Sequence, residues 1–196
     1  MTAPAPGRVA PLPEPWSAED AAAIGRWGHP AATYDPLLLT RCLQRVPALA
    51  DRTRALGESL YVHGRLSPRQ RTIAILRTCA VVGCAYEWGG QAAFWGPIAG
   101  LSEEECDALV LAGADDARWS PEESALVGAV DELEAGGTLS DAAWERLGGF
   151  LDDEQRMELL VVCGWYRMIC TLCNGMALPV EDWMRPWPEA REGAER

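Results

Sequence analysis

Apolar residues recur along the chain at the three- and four-residue spacing of an α-helix, and period-two alternation never extends beyond a few residues. Serine residues at capping positions and Gly or Pro residues at ends divide this pattern into segments. Helix starts are predicted after Ser17, Pro36, Pro47, Ser67, Ser102, Ser120, Ser140 and Asp152. The helix after Ser67 is predicted to reach at least Val82, and Cys84 to Trp95 continue in helical period. The chain is therefore predicted to be all-α.

Composition divides the chain into three regions. Residues 1–15 are rich in Pro and Ala and predict a flexible arm, whereas residues 16–180 predict one helical domain. Residues 181–196 predict an extended strap, in which Trp183 and Trp187 pack onto the body or onto a neighbouring subunit. Whether Gly83 breaks a helix or marks a close-packing point stays open at this stage.

Charge and hydropathy exclude several classes of function. The 196 residues carry 17 Arg plus Lys against 29 Asp plus Glu, and this net charge of −12 argues against nucleic-acid binding. The uncharged stretches are shorter than the ~20 residues of a membrane span. The N-terminus lacks the basic start and apolar core of a signal peptide, so we expect a cytoplasmic protein.

The cysteines and histidines do not form a familiar framework. Seven cysteines lie mostly within apolar helical patterns, which argues against a disulfide scaffold. Neither His29 nor His63 is spaced to join a cysteine pair, so no metal site and no cofactor is expected. Cys170 and Cys173 form a C-x-x-C near the end of a long apolar helix, where the helix dipole disfavours a thiolate, and we interpret them as packing thiols.

One helical stripe after Gly83 carries polar groups among aromatic side chains. On a helical wheel Cys84, Glu87, Gln91, Trp88 and Trp95 share one side. Aromatic walls raise the pKa of a carboxylate by desolvation, so Glu87 could carry protons near neutrality. The alternative is that Glu87 faces water or pairs with an arginine.

The last long helix carries a second polar group on an otherwise apolar surface. Tyr166, Arg167, Cys170 and Asn174 fall within about 100° of one another. Because a buried guanidinium needs a partner, we expect Arg167 to pair with Glu87 or to bind a substrate carboxylate or enolate. A structural salt bridge at a subunit contact is the alternative.

Five motifs between Tyr34 and Val180 form a recognisable set. They are Leu66-Ser67-Pro68-Arg69-Gln70-Arg71-Thr72-Ile73-Ala74-Ile75-Leu76-Arg77, Tyr86-Glu87-Trp88, Ala99-Gly100-Leu101-Ser102, Gly164-Trp165-Tyr166-Arg167-Met168 and Leu178-Pro179-Val180. With these motifs the chain resembles the carboxymuconolactone decarboxylase family of the alkylhydroperoxidase-D-like superfamily. The resemblance implies an all-α helical bundle that assembles into homo-oligomers, commonly trimers or hexamers, with active sites near subunit contacts.

The chain departs from the family at its chemical positions. The peroxidase branch has Glu, two Cys and His where this chain has Thr72, Cys84, Glu87 and Gln91. Without the second thiol, no catalytic disulfide can close between those positions. The decarboxylase-like branch usually has Glu at Thr72 and His at Gln91, so Glu87 is left as the evident acid or base.

The leading hypothesis is a cofactor-independent enzyme of lyase or isomerase type acting on a small or polyketide-like organic acid, lactone or enol by decarboxylation, dehydration, isomerisation or cyclisation. Glu87 would move the proton and Gln91 would orient a carbonyl. The remaining assignments are hydroxyl donation by Tyr86 or Tyr166, binding of an anionic end by Arg77 or Arg167, and pocket walls from Trp88 and Trp95. Two alternatives are a non-catalytic oligomeric binding or scaffold protein, and a residual thiol oxidoreductase that uses Cys84 with Cys170 or Cys173.

Overall fold

A computed structural model of the chain describes residues 7–189, which contain helices and no strand. The helices are α1 (Ala18–Gly25), α2 (Leu38–Leu43), α3 (Pro47–Val62), α4 (Pro68–Val81), α5 (Ala85–Ile98), α6 (Glu103–Leu111), α7 (Pro121–Gly136), α8 (Asp141–Gly148) and α9 (Asp153–Met176). The all-α prediction is confirmed. The serine caps before α1, α4, α6, α7 and α8 accept hydrogen bonds from the backbone of the first turn, as their sequence signals predicted.

The described residues group into two compact units. The single helical domain over residues 16–180 stays a prediction. One unit contains the residues up to Gly64 together with Thr171–Pro179. The other contains Arg65–Cys170 and the segment from Val180 onward. All the interactions of the candidate site described below lie within the second unit.

The first unit holds the described part of the predicted arm. The Arg8 backbone N–H donates to the Met176 carbonyl at 2.6 Å, and the Leu12 N–H donates to the Arg41 carbonyl at 3.0 Å. Backbone hydrogen bonds at Arg8 and Leu12 therefore join the described part of the arm to the rest of the first unit, and residues 1–6 lie outside the described part.

Helix α4 is the centre of the second unit. It packs against α5, α6 and α7, and four consecutive residues from Ile73 to Leu76 are at most 1% exposed. Because neighbours surround α4, it is apolar on most of its circumference over these turns, rather than along one stripe. Leu126, Val127 and Val130 supply buried apolar side chains from α7.

Arg69 ties the start of α4 to the starts of two other helices. Its guanidinium contacts Glu105 of α6 at 2.5 Å and Glu123 of α7 at 2.6 Å, and it donates to the Gly100 carbonyl at 2.8 Å. Glu105 and Glu123 are the glutamates of the two capping boxes. The same carboxylates thus cap their own helices and join them to α4.

Gly83 ends α4 and reverses the chain. Its φ of +64° lies in the left-handed region that favours glycine. The Cys84 N–H donates to the Cys79 carbonyl at 2.9 Å and the Gly83 N–H donates to the Ala80 carbonyl at 3.1 Å, which is the hydrogen-bond pair of a Schellman ending. The open question about Gly83 is thus answered by a helix break, and α4 ends at Val81, one residue before its predicted minimum.

Helix α9 is long and apolar enough, by length and composition, to cross a membrane. Such a helix is weak support for a membrane span, because core helices of soluble proteins have the same properties. Here 44% of its apolar window is buried inside the protein, and Leu159, Val162 and Cys163 are at most 3% exposed. The structure therefore shows α9 contributing to a protein core.

Candidate active site

The first turn of α5 brings a thiol and a carboxyl together. Cys84 occupies the N-cap position, and its side chain accepts no capping hydrogen bond. Glu87 lies three residues later, where a capping-box glutamate would stand. Cys84 is fully buried, whereas Glu87 keeps part of its surface accessible.

The Glu87 carboxyl accepts a hydrogen bond from a neutral amide. The Gln91 side chain, one helical turn farther along α5, donates from Nε2 to Oε1 of Glu87 at 2.9 Å. Within residues 7–189 no arginine or histidine forms an ion pair with Glu87. Burial raises the pKa of Glu87 from 4.5 to about 7, and the Gln91 hydrogen bond lowers it only in part. Glu87 can therefore gain or lose a proton near neutral pH.

Gln91 also links α5 to α9. Its Nε2 donates to the Tyr166 hydroxyl oxygen at 3.3 Å, and both side chains are at least nine-tenths buried. The Gln91 amide thus connects the Glu87 carboxyl with the Tyr166 phenol. The helical wheel placed Glu87 and Gln91 on one stripe, but it could not pair either with Tyr166.

Three thiols meet beside Glu87. The Cys170 thiol donates to Cys79 Sγ at 3.6 Å, and it also interacts by hydrogen bonding with the Cys84 side chain. Burial raises the pKa of Cys79 to about 11, and the hydrogen bonds of Cys170 with Cys79 and Cys84 raise the pKa of Cys170. Within the described chain the cysteines are free thiols, and no group of three His, Cys, Asp or Glu side chains is arranged to hold a metal ion.

The segment after Val180 covers one side of α5. The Arg185 N–H donates to the Gly89 carbonyl at 3.1 Å, and a Cβ on Gly89 would lie 2.6 Å from the Arg185 carbonyl oxygen. Only glycine permits that approach. Trp187 contacts Trp88 edge-to-face at a centroid distance of 5.6 Å.

Tyr86 and Trp183 also take part in the contact between α5 and the segment after Val180. The Tyr86 hydroxyl donates to the Glu181 carboxylate, and the Trp183 ring lies 3.5 Å from the Cβ position of Gly90. Trp183 and Trp187 thus pack onto their own chain, which is one of the two arrangements that the sequence left open. Residues 190–196 of the predicted strap lie outside the described residues.

Arg167 has a different partner from the one expected. Its guanidinium pairs with Glu134 of α7 and not with Glu87. The Glu134 side chain is 2% exposed and that of Arg167 is 53% exposed. The prediction of a Glu87 partner was wrong because Arg167 lies about 100° around α9 from Tyr166, and only Tyr166 faces Gln91.

The remaining predicted site residues, Arg77, Trp88 and Trp95, have other contacts. Arg77 donates to Asp131 at 2.5 Å and to the Leu109 carbonyl at 2.6 Å. Trp88 is fully buried, and the Trp95 ring contacts Phe94 edge-to-face. The structure therefore brings together Cys84, Glu87, Gln91 and Tyr166, and engages Arg77 and Arg167 in ion pairs with other residues.

Sequence reasoning paired Cys84 with Cys170 or Cys173 only as an alternative and did not include Cys79. The turn at Gly83 places Cys79 and Cys84 on two helices. Cys170 was interpreted as a packing thiol. Gly83 was the available signal, because a left-handed glycine at a helix end turns the following residue back toward the last turn.

Comparison with known proteins agrees with this fold. The profile of the carboxymuconolactone decarboxylase family matches residues 47–132. No functionally curated protein matches the chain by sequence.

Solved structures share the fold at low sequence identity. An uncharacterized peroxidase-related protein from Silicibacter sp. is 15% identical, with a TM-score of 0.79 over 93% of this chain and 96% of that chain. An alkylhydroperoxidase AhpD core protein from Ralstonia eutropha, also peroxidase-related, is 17% identical, with a TM-score of 0.78 over 92% and 95% of the two chains. The debrominase Bmp8 in complex with 2,3,4-tribromopyrrole is 11% identical, with a TM-score of 0.70 over 89% and 92%.

These findings define a class of fold, the AhpD-like helical fold, which the chain shares with the three solved structures. Within it, residues 47–132 resemble the carboxymuconolactone decarboxylase family.

Proposed function

We propose that this protein is a cofactor-independent enzyme of lyase or isomerase type in which Glu87 carries the proton. The observation that carries the proposal is a carboxyl whose hydrogen-bond partner is a neutral amide. Burial raises the pKa of this carboxyl to about 7. A carboxyl bound to an arginine would stay ionised at neutral pH. Glu87 instead exists in both forms near pH 7, as an acid or base in catalysis requires.

The proposal gives each member of the group a role. Glu87 would remove a proton from carbon beside a carbonyl group, or would return one to an enolate left by decarboxylation. Tyr166, which accepts a hydrogen bond from Gln91, would stabilise the oxygen of such an enolate. The substrate class is a small or polyketide-like organic acid, lactone or enol.

The proposal rests on Glu87, Gln91 and Tyr166 and not on the two arginines. Arg77 and Arg167 each have a carboxylate partner within the second unit. Binding of an anionic substrate by either would require that carboxylate to be displaced. The homo-oligomer, the cytoplasmic location and the absence of a cofactor stay predictions.

The test compares metabolites in the organism that carries the gene. The gene is deleted and then restored as wild type, as Glu87→Gln, or as the control Glu122→Gln, which changes an exposed carboxylate on α7. We expect one precursor to accumulate in the deletion and Glu87→Gln strains only, because losing an acid or base slows turnover by about 10²- to 10⁴-fold. The mass difference between precursor and product would identify the reaction.

Two outcomes would contradict this proposal. Full turnover by Glu87→Gln on the accumulated precursor would remove Glu87 from the chemistry. An unchanged metabolite profile in the deletion strain would favour the non-catalytic binding or scaffold protein, and Glu87→Gln would then alter assembly or stability alone.

A further inference from the structure

A cleft of about 450 Å³ lies within the first unit, lined by α1, α3 and the residues that follow α1 and α2. This volume is in the range of pockets that hold small molecules in proteins. Most of the lining precedes residue 47, where the match to the family profile begins. The cleft is therefore built mainly from a part of the chain that the family profile does not cover.

Two guanidinium groups of the cleft face one carboxylate. Arg26 follows α1, whereas Asp51 and Arg54 belong to α3. Nη2 of Arg26 lies 4.0 Å from Oδ1 of Asp51, and Nη2 of Arg54 lies 3.8 Å from the same oxygen. Both distances are longer than a hydrogen bond. Asp51 thus offsets positive charge without accepting a hydrogen bond from either arginine.

The Arg54 guanidinium keeps unused hydrogen-bonding capacity. Its Nη1 donates to Glu58 at 2.5 Å. Its Nε is buried and has no hydrogen-bond partner within residues 7–189. Buried donors are nearly always paired in folded proteins, so an anionic group in the cleft would give this guanidinium a second acceptor.

Carboxylates line the other end of the cleft. Glu19 and Asp20 lie in the first turn of α1, about 10 Å along the helix axis from Arg26. The Asp20 carboxylate is held by two donors, Gln44 Nε2 at 2.9 Å and Ser17 Oγ at 2.7 Å. These hydrogen bonds lower the pKa of Asp20, so its carboxylate is ionised at neutral pH and suits a cationic group.

Apolar surface lies between the two charged ends. Ala23 stands midway between Asp20 and Arg26 on one face of α1, since the three residues are spaced by three. Trp27 lines the same cleft and is half-buried, so part of its ring is available to a ligand. The cleft thus offers an acidic end, an apolar middle and a basic end.

We propose that this cleft binds a short peptide with free termini. The peptide carboxylate accepts hydrogen bonds from Arg26 and Arg54, and its ammonium group lies against Asp20. An apolar side chain of the peptide contacts the Trp27 ring.

A single α-amino acid carries its two charges too close together to reach both ends of the cleft, whereas a dipeptide spreads them. The cleft residues all belong to the first unit, so the inference does not depend on Glu87 or on the proposed reaction.

The test uses the full chain and nuclear magnetic resonance titrations, with the Trp27 indole N–H signal assigned by its loss in Trp27→Phe. The probes are glycylphenylalanine, its N-acetyl derivative, its C-terminal amide and free phenylalanine. We expect glycylphenylalanine to shift the Trp27 signal and to bind at least about tenfold more tightly than the other three probes, because each of those loses one charged contact.

Two variants assign the charged ends. Arg26→Gln changes a half-exposed side chain and should weaken glycylphenylalanine about tenfold, but it should leave binding of the amide unchanged. Asp20→Asn should likewise weaken glycylphenylalanine and leave binding of the N-acetyl derivative unchanged. The matched control is Arg52→Gln, which removes an exposed arginine of α3 that does not line the cleft and should bind every probe like wild type.

Three results would overturn the inference. The first is a Trp27 signal that does not move at millimolar glycylphenylalanine. The second is equal affinity for glycylphenylalanine and either blocked derivative, which would make the cleft a site for one charge only. The third is wild-type binding by Arg26→Gln and Asp20→Asn proteins that circular dichroism shows to be folded. The comparison of probes on wild type keeps the test decisive if a variant fails to fold.

Discussion

Helices α5 and α6 of the second unit each have a glutamate three residues after the N-cap, but the two carboxyl groups have different hydrogen-bond partners. In α6, Ser102 caps the helix and the Glu105 carboxylate accepts the Ser102 N–H at 2.7 Å. In α5, Cys84 provides no side-chain cap, and the Glu87 carboxyl bonds instead to Gln91. The two glutamates therefore share a helix position but not a role.

The difference lies in the partner and in the burial. The hydrogen bond from Arg69 holds the pKa of Glu105 below its usual 4.5, whereas burial beside a neutral amide raises the pKa of Glu87 to about 7. A capping box stabilises its helix by about 1 kcal/mol. The start of α5 lacks that contribution and keeps a carboxyl that titrates near neutral pH, as expected of a functional site.

The largest expected effect is the loss of stability with rising pH, which Glu87 causes and Glu105 does not. Because folded Glu87 binds its proton more tightly than unfolded Glu87, this group lowers stability progressively as pH rises from 4.5 to about 7. The full loss is about 3 kcal/mol, given 1.36 kcal/mol per pKa unit. We expect Glu87→Gln to match wild type near pH 4 and to be more stable by up to about 3 kcal/mol at pH 8, measured by urea unfolding.

Glu122→Gln is again the control, since it removes an exposed carboxylate from the first turn of α7. Its stability should track that of wild type across the same pH range to within about 0.5 kcal/mol. Equal pH dependence of Glu87→Gln and wild type would show that Glu87 is ionised and solvated in the folded protein.

The comparison of α5 with α6 also shows which features could be predicted from the sequence. The start of α6 was predicted from Ser102 and Glu105 alone, because a capping box is a local interaction. Glu87 and Gln91 were placed on one stripe by their spacing of four residues, which is also local. Helix starts and pairs within one helix could thus be inferred from sequence.

Contacts between helices could not be inferred in the same way. Tyr166 and Arg167 are adjacent in sequence, yet one reaches α5 and the other reaches α7. The rotation of α9 that decides this depends on the packing of the whole unit. Cys170 meets Cys79 for the same reason, so the thiol cluster became visible only in three dimensions.

A second effect concerns the turn that sets Cys84 apart from α4. An alanine at position 83 would adopt φ near +64°, at a cost of roughly 1–2 kcal/mol, and its Cβ would contact nothing within 4 Å. We expect Gly83→Ala to lower the free energy of unfolding by about that amount. Gly83→Asn should lose less, since asparagine tolerates this conformation better.

Gly164 of α9 provides the opposite control, because its Cβ would also meet nothing within 4 Å but its backbone is helical. Gly164→Ala should stabilise the protein by about 0.5–1 kcal/mol. If Gly83→Ala stabilised the protein as well, the left-handed turn before Cys84 would be absent.

The smallest expected effect concerns Glu105, the glutamate at the start of α6. Glu105→Gln keeps an acceptor for the Ser102 N–H, so the capping box survives and only the ion pair with Arg69 is lost. The side chains of Glu105 and Arg69 are partly exposed, at 18% and 31%, and the expected loss of unfolding free energy at pH 7 is about 1 kcal/mol.

The effect of Glu105→Gln also depends on pH. Because the folded pKa of Glu105 is lowered, its contribution to stability is present above pH 4.5 and disappears as pH falls through the folded pKa. Both variants should therefore approach wild-type stability toward acid pH. Toward alkaline pH the differences grow with opposite signs, because Glu105→Gln becomes less stable than wild type and Glu87→Gln becomes more stable. Unfolding curves of both variants at several pH values would show the opposite signs, and differences of the same sign would mean that the two helix starts do not differ in charge state.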